Sequence, residues 1–283
     1  MIATLIADAA ARLAAAGIDN PRLDARVLLG HVLNVPGGEL LFGNAKVSGE
    51  ARTKFESAIA RRISREPVAY ITGEKEFWSL PFAVGPGVLI PRPETETLIE
   101  EALKLFPDRS APRRILDLGT GSGIRLLTLL HLLPAARGVG VDAAEDGLGW
   151  AKANISRLGL ESRASLERAH WDEGIDGAFD LVVSNPPYVA RDAMAQLAPE
   201  LSFEPRSALD GGADGLEAYR SLAPVLMRRV APEGHVLLEI GADQGAAVPA
   251  IMSAAGLVVS HVANDLAGLA RVVVAKKALE TGR

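Results

Sequence analysis

Apolar residues recur three or four positions apart through residues 1–64. They fall into three series: Leu5, Ala9, Leu13 and Ala16; then Leu23, Val27, Leu28 and Leu33; then Phe55, Ile59 and Ile63. Such spacing puts the apolar side chains on one face of a helix. Gly17, Pro36 and Gly37 separate the series, as residues that end helices do. The pattern predicts a small bundle of helices.

The pattern changes between residues 77 and 90, where short apolar pieces are broken by Pro81, Gly85, Pro86 and Gly87. This pattern favours a hairpin or a linker over a helix. Pro93 then precedes two acids, Glu94 and Glu96, which suits the first turn of a helix running toward Phe106. We therefore expect a helical domain over residues 1–72, a β-hairpin linker over 73–90 and a second domain over 91–283.

Short apolar runs alternate with helical stretches in the second domain. The runs at 115–118, 138–141, 181–184 and 235–240 predict buried strands, and 258–262 and 271–275 could complete their sheet. Helical patterns occupy 122–133, 144–158, 214–230 and 245–255. Alternating strands and helices predict an α/β fold, in which a doubly wound, mostly parallel sheet carries helices on both faces.

Composition narrows the class of protein. With 48% hydrophobic residues the chain can bury a large core, and its net charge of −5 disfavours a direct nucleic-acid partner. It has no cysteine, which excludes disulfides and thiolate metal sites, and its five histidines lack metal-ligand spacing, so we expect no metal. Because neither a signal peptide nor a membrane span is recognisable, we expect a cytoplasmic protein. We also expect it to be a monomer. A group of three arginines forms either a solvated helix face, which we favour, or part of a partner contact. These are Arg61, Arg62 and Arg65.

A glycine-rich loop follows the strand at 115–118 and opens the next helix. It consists of Gly119, Thr120, Gly121, Ser122 and Gly123. Glycines let a ligand approach the backbone, and the amino end of a helix favours anionic groups. The next strand ends at Asp142, 19 residues past Gly123, where a carboxylate can accept hydrogen bonds from both hydroxyls of a ribose. The pair predicts a site for a nucleoside-containing cofactor, and the Gly-x-Gly-x-Gly spacing disfavours a dinucleotide.

A second candidate loop, Asn185-Pro186-Pro187-Tyr188, follows the apolar strand at 181–184. The prolines stiffen it and supply no N–H, so it offers carbonyl oxygens and the Asn185 side-chain oxygen to a donor. A planar NH₂ group fits: its hydrogens would be held by Asn185 and the Pro186 carbonyl, with Tyr188 on its face. Because resonance makes an amide nitrogen a poor nucleophile, two acceptors on its hydrogens would return electron density to it. This scheme requires no dedicated general base.

These residues, together with several other segments, resemble the PrmC/HemK family of protein-glutamine methyltransferases. The similar segments are residues 67–73, 88–96, the glycine loop, 185–188, 204–205, 208–212, 214–216 and 239–241. Members of that family modify the Gly-Gly-Gln glutamine of peptide-chain release factors, using S-adenosylmethionine and forming S-adenosylhomocysteine. The resemblance implies a Rossmann-like class I methyltransferase with a seven-stranded sheet, whose amino-terminal helical domain grips the release factor.

The resemblance also implies residue roles. Residues 119 to 123, Asp142, Trp171 and Asn185 would contact S-adenosylmethionine, and residues 185 to 188 would hold the glutamine. Two positions depart from the family pattern: Arg125 stands where small or apolar residues are usual, and His170 stands where an acid commonly reaches the adenine. We expect Arg125 to alter the packing of its helix and His170 to weaken the adenine contact.

Three other functions remain open. The motif at 185–188 also occurs in methyltransferases acting on exocyclic amines of RNA or DNA bases. The two departures would also fit an inactive module that binds release factors. A nicotinamide dehydrogenase is disfavoured by the loop spacing and by the lack of a catalytic His or Tyr-Lys pair.

Overall fold

The computed structural model describes residues 2–35, 40 and 47–277. The chain forms two compact units, one of residues 1–74 with 198–203 and one of residues 75–197 with 204–283. Pro36 and Gly37, expected to separate two helices, lie outside the described residues.

Four helices form the first unit. They are α1 (Ile2–Ala15), α2 (Pro21–Leu33), α3 (Gly49–Ile63) and the short α4 (Val68–Thr72), which was not predicted. The apolar series predicted from the sequence supply most of its core, where Leu13, Leu28 and Ile59 are fully buried. Leu23 and Val27 of the second series are exposed instead. Ser48 caps α3, because its side-chain oxygen accepts the N–H of Ala51. The predicted helical bundle is therefore present.

An arginine cluster stabilises the first unit. Arg62 is buried, with its Nε 2.8 Å from Asp24 and its Nη2 3.0 Å from Glu200 of the 198–203 segment. Arg65 lies 3.3 Å from the same Glu200 carboxylate and donates to the carbonyl of Ala16. The expected solvated helix face is thus wrong for Arg62, because a distant segment of the chain supplies its partner.

The second unit is built on a seven-stranded sheet with the order β5-β4-β3-β6-β7-β9-β8. Its strands are β3 (Arg114–Leu118), β4 (Arg137–Asp142), β5 (Ala164–Arg168), β6 (Phe179–Ser184), β7 (Val230–Glu239), β8 (Leu257–Asn264) and β9 (Ala270–Lys277). Strands β3 to β7 are parallel, and β9 is antiparallel to both β7 and β8. The predicted doubly wound, mostly parallel sheet is confirmed, and the edge strand β5 was missed.

Helices cover both faces of this sheet. They are α5 (Glu96–Leu105), α6 (Ile124–Leu132), α7 (Glu145–Leu158), α8 (Glu217–Arg229) and α9 (Ala247–Ala254). Successive strand residues point to opposite faces, so Leu181 and Val183 pack in one core cluster and Val182 in the other. Burial on both faces explains why the central strands are continuous apolar runs.

A two-stranded hairpin, β1 (Glu74–Phe77) and β2 (Leu80–Ala83), precedes the sheet. Phe77 and Phe82 meet edge to face at 6.3 Å between ring centroids and are buried in the core cluster of the second unit. Asn154 of α7 binds both backbone groups of Ala83, accepting its N–H at 2.7 Å and donating to its carbonyl at 3.0 Å. The hairpin is therefore packed into the body of the second unit.

Candidate functional site

The glycine loop makes a tight turn from β3 into α6. Gly119 and Gly121 have φ values of 70° and 56°. Residues other than glycine rarely adopt this left-handed backbone conformation. A Cβ added at Gly119 would meet nothing within 4 Å, so the space beside this residue is open. Asn154 holds the far end of the loop by donating to the Ser122 carbonyl at 2.9 Å. Sequence reasoning missed Asn154, because one asparagine in a helix carries no spacing signal.

Asp142, at the end of β4, is tied to that loop. Its Oδ2 accepts the N–H of Gly121 at 2.8 Å, and its Oδ1 accepts the N–H of Ala144 at 2.9 Å. Each carboxylate oxygen has a second lone pair that can accept a hydrogen bond from a ligand hydroxyl. The carboxylate therefore orients the loop and still offers acceptors to the cavity beside it.

A buried ion pair lies under the glycine loop. Asp117 is fully buried, and its Oδ1 lies 2.9 Å from Nε and 2.8 Å from Nη2 of Arg125. Its Oδ2 accepts the hydroxyl of Thr120 at 2.8 Å, and Arg125 also donates to the carbonyl of Gly119. Burial raises the pKa of Asp117, while Arg125 and the Thr120 hydroxyl oppose that rise. Arg125, noted in the sequence as a departure, thus compensates a buried carboxylate and holds the loop backbone.

The Asn185-Pro186-Pro187 segment starts directly after β6. Ser184, the last residue of that strand, donates its hydroxyl to the Leu118 carbonyl at 2.7 Å, which joins the starts of the two loops. The Asn185 side-chain amide has no hydrogen-bond partner among residues 2–35, 40 and 47–277. It is therefore free to bind a ligand.

Tyr188 ends this segment and is anchored by its backbone. Its carbonyl accepts a hydrogen bond from Gln244 Nε2 at 3.1 Å, and its ring packs beside a core cluster. Burial raises the pKa of its hydroxyl. A Cβ at Gly211 would come within 2.8 Å of the Pro187 carbonyl and of Tyr188 Cα, so the 210–212 turn needs glycine to support the segment.

One cavity of about 340 Å³ brings most of the predicted site residues together. Its wall includes the predicted residues Gly119, Thr120, Gly121, Ser122, Asp142, Trp171, Asn185, Pro186 and Pro187. The other two predicted residues are outside the wall: Gly123 is the N-cap residue of α6, and Tyr188 is the last residue of the 185–188 segment. The volume falls in the range of small-molecule sites, so two sequence motifs share one binding site.

Trp171 and its neighbours form one side of the cavity. His170 and Trp171 both line it, with ring centroids 5.4 Å apart in an edge-to-face contact. Asp172 faces elsewhere and binds Arg228 at 2.9 Å and Arg229 at 2.8 Å, which lower its pKa against the effect of burial. Asp172 therefore does not replace the acid that the family carries before the tryptophan.

Several wall residues were not singled out from the sequence as site residues. Arg92, Thr95, Ser207 and Arg125 line the cavity. Glu204 is buried and accepts the N–H of Ile90 at 3.1 Å and a hydrogen bond from Arg92. For Arg92 and Thr95 the only sequence signal was their place in the 88–96 segment, which is similar to the family. The partner of Arg92, Glu204, lies 112 residues away along the chain.

The cavity fits a nucleoside-containing cofactor. The open space beside Gly119 suits a methionine group. The carboxylate oxygens of Asp142 suit the hydroxyls of a ribose, and the ring of Trp171 suits the face of a base. The described residues include no group of three or more potential metal ligands. No described helix has the length and apolar character needed to cross a bilayer.

Family models and curated relatives match most of this chain. Residues 4–73 match the PrmC N-terminal domain family, and residues 95–213 match the methyltransferase small domain family. A release factor glutamine methyltransferase of Caulobacter vibrioides is 44% identical over 269 residues, covering 94% of this chain and 93% of the relative. One of Cereibacter sphaeroides is 45% identical and covers 94% of each chain.

Solved structures share the fold over more than two thirds of this chain. The T. thermophilus 16S rRNA N2 G1207 methyltransferase, solved with AdoMet and guanosine, matches 72% of this chain and 50% of its own. Its TM-score is 0.54 at 20% identity. The ribosomal protein L11 methylase of Lactobacillus delbrueckii subsp. bulgaricus has a TM-score of 0.51 at 19% identity, over 69% of this chain and 84% of its own. At these identities the likeness concerns the fold alone.

Proposed function

This chain belongs to the release factor glutamine methyltransferases, as its motifs indicated, and from that membership we propose its reaction. It transfers the methyl group of S-adenosylmethionine to the side-chain amide nitrogen of the glutamine in the Gly-Gly-Gln motif of a release factor. The products are N5-methylglutamine and S-adenosylhomocysteine. One observation carries the proposal: the Asn185 amide, which has no hydrogen-bond partner in the described part of the chain, shares a cavity wall with the glycine loop and Asp142.

The cofactor would be held by the residues that end β3 and β4. When bound, S-adenosylmethionine supplies a methyl group activated by its sulfonium sulfur. The glycine loop, residues 119 to 123, presents backbone groups to its methionine part, and Asp142 accepts from the ribose hydroxyls. Trp171 offers its ring to the adenine, with His170 beside it.

The glutamine would be held by the segment after β6. Asn185 and the Pro186 carbonyl accept the two amide hydrogens, which localises electron density on the nitrogen. The two prolines fix the segment before the substrate arrives, so little ordering remains to be done at binding. Pre-organisation of this kind contributes at most about 7–11 kcal/mol to lowering a barrier.

The partner is a release factor, and the helical domain over residues 1–72 is its proposed contact region. The hairpin at 73–90 joins it to the methyltransferase domain over 91–283. We assign no metal and no nucleic acid to the reaction, and we place the protein in the cytoplasm as a monomer.

The decisive experiment measures methyl incorporation from labelled S-adenosylmethionine into a purified release factor and into its Gln→Ala variant at the Gly-Gly-Gln motif. Label in the natural factor alone is the expected result. Label in ribosomal or transfer RNA in place of the factor would overturn the proposal in favour of a base-amine methyltransferase. Label in neither substrate, with cofactor bound, would indicate an inactive binding module.

Asp142→Ala should weaken binding of S-adenosylhomocysteine about 100-fold, or about 3 kcal/mol, because two hydrogen bonds to a charged acceptor are lost. The Gly121 N–H also loses its partner. Isothermal titration calorimetry measures this directly. Asp176→Ala, at an exposed aspartate outside the cavity, is the matched control. An unchanged affinity in Asp142→Ala would refute the ribose assignment.

A further inference from the structure

One face of α7 holds the stretch of chain that follows the hairpin. This exit segment, residues 83–89, begins at the last residue of β2. Trp150 and Asn154 lie four residues apart, so their side chains share one face of α7. Asn154 is fully buried and binds both backbone groups of Ala83, and Trp150 donates its Nε1–H to the carbonyl of Pro86 at 3.1 Å. Two side chains of one helix therefore fix the first half of the exit segment.

The exit segment also packs closely against α7. A Cβ added at Gly85 would lie 2.8 Å from Cη2 of Trp150 and still closer to the neighbouring ring atom, which is inside van der Waals contact. Gly85 does not have a positive φ, so the nearby ring is what requires glycine at this position. A Cβ added at Gly87 would lie 2.6 Å from Cβ of Asp146. The backbone of the segment therefore lies directly on the helix.

The second half of the exit segment belongs to the cofactor cavity. Three of its residues line the wall: Gly87, Val88 and Leu89. A Cβ added at Gly121 would be 3.4 Å from Cγ2 of Val88, so Val88 borders the glycine loop. Asn154 donates to the carbonyl of Ser122 in that loop at 2.9 Å. One buried amide thus holds the exit segment and the glycine loop together.

We propose that Asn154 and Trp150 are positioning residues for the cofactor. By fixing the exit segment on α7 they hold Val88 against the glycine loop, so the hairpin helps to set the affinity for S-adenosylmethionine. This inference rests on the proposed function, which assigns the cofactor to this cavity. Neither residue belongs to the described cavity wall, so each acts through the exit segment or the loop.

The hydrogen bonds of Asn154 explain why an amide is needed. Its two N–H donors go to the carbonyls of Ala83 and Ser122, and its oxygen accepts the N–H of Ala83. An aspartate would have no donor and would place a charge beside both carbonyls. Without these bonds, buried backbone groups lose their partners, which favours release of the exit segment. Only molecules with the segment in place present the complete cavity, so the apparent affinity falls with their fraction.

Gly85→Ala tests the proposal without changing Asn154, the glycine loop or the cavity wall. The added methyl meets the Trp150 ring, so the segment or the ring must move. We expect KM for S-adenosylmethionine to rise about tenfold and S-adenosylhomocysteine to bind about tenfold more weakly by calorimetry, the result of a competent fraction near one tenth. At saturating substrates kcat should stay within about threefold of the wild type.

Gly149→Ala is the matched control, because it makes the same replacement beside Trp150 where a Cβ would meet nothing within 4 Å. It should leave both affinities unchanged. The double variant of Gly85→Ala with Trp150→Leu identifies the contact responsible. Since the leucine lacks the ring that the methyl meets, Gly85→Ala should weaken S-adenosylhomocysteine binding less than about twofold in that background.

Hydrogen exchange of the Ala83 amide tests the coupling in the wild type. A ligand that binds only when the exit segment is in place must stabilise that state, so S-adenosylhomocysteine at 100 times its Kd should slow this exchange at least about tenfold. Asn154→Ala, which removes the acceptor of this N–H, should speed the exchange and weaken ligand binding at least about tenfold. The wild-type measurement holds even if Asn154→Ala fails to fold.

The failure of this inference differs from the failure of the proposed function. Unchanged S-adenosylhomocysteine affinity in Gly85→Ala would overturn the positioning role and leave the proposed function standing. Exchange at Ala83 that does not respond to the ligand would do the same. A wild-type protein that binds no S-adenosylhomocysteine and methylates no release factor would overturn both.

Discussion

Asn185→Ala should lower kcat for release-factor methylation by at least about 10³-fold, the scale of losing a key transition-state contact. The side-chain oxygen that holds one amide hydrogen is removed, so the amide nitrogen is neither oriented nor activated. The fold should survive, because the Asn185 side chain makes no hydrogen bond within the described part of the chain. Single-turnover methylation with saturating cofactor isolates the chemical step.

The control for Asn185→Ala is Asn264→Ala, the same replacement at an exposed position of β8. Circular dichroism and cofactor titration establish that both variants fold. Near-normal turnover by Asn185→Ala would refute the role assigned to this residue.

Arg125→Ala should destabilise the second unit by about 3–5 kcal/mol, the usual cost of leaving one partner of a buried ion pair uncompensated. Asp117 is fully buried and would keep only the Thr120 hydroxyl as a side-chain partner. The Gly119 carbonyl would also lose its donor. We therefore expect weaker cofactor binding along with the loss of stability.

Urea unfolding followed by tryptophan fluorescence measures this change selectively. All three tryptophans, Trp78, Trp150 and Trp171, belong to the second unit, so their emission reports its unfolding. The double variant Asp117→Asn with Arg125→Met removes both charges and should recover most of the loss, because neither partner is left alone. A loss below about 1 kcal/mol in Arg125→Ala would show that the pair does not stabilise the unit.

The predicted strands differ from the observed ones for physical reasons. The central strands were found because burial on both faces makes them continuous apolar runs. Strand β5 was missed because Ala164–Arg168 is a half-exposed edge strand with an acid and a base in it. The position of β9 between β7 and β8 depends on which strands pair, and pairing joins residues far apart in sequence.

Arg125 illustrates what a motif does not reveal. In the sequence, Arg125 departs from the family pattern just after the glycine loop, and we expected it to change the packing of its helix. The structure pairs it with Asp117, eight residues earlier, because the turn between β3 and α6 brings the two side chains together. The charges of the two residues become one interaction only in the folded chain.

The sequence by itself determined the α/β class, the helical amino-terminal domain, the family and the two loops, since each of these depends on local periodicity or on short motifs. Only the tertiary structure decided that the two loops share one cavity, that Tyr188 and Gly123 stand outside its wall, and that Arg62 pairs with Glu200. The burial of Glu239 at the end of β7 belongs to the same group. These features depend on contacts between segments that are distant along the chain, and a side chain acquires its burial, its charge partner and its access to a ligand only through such contacts.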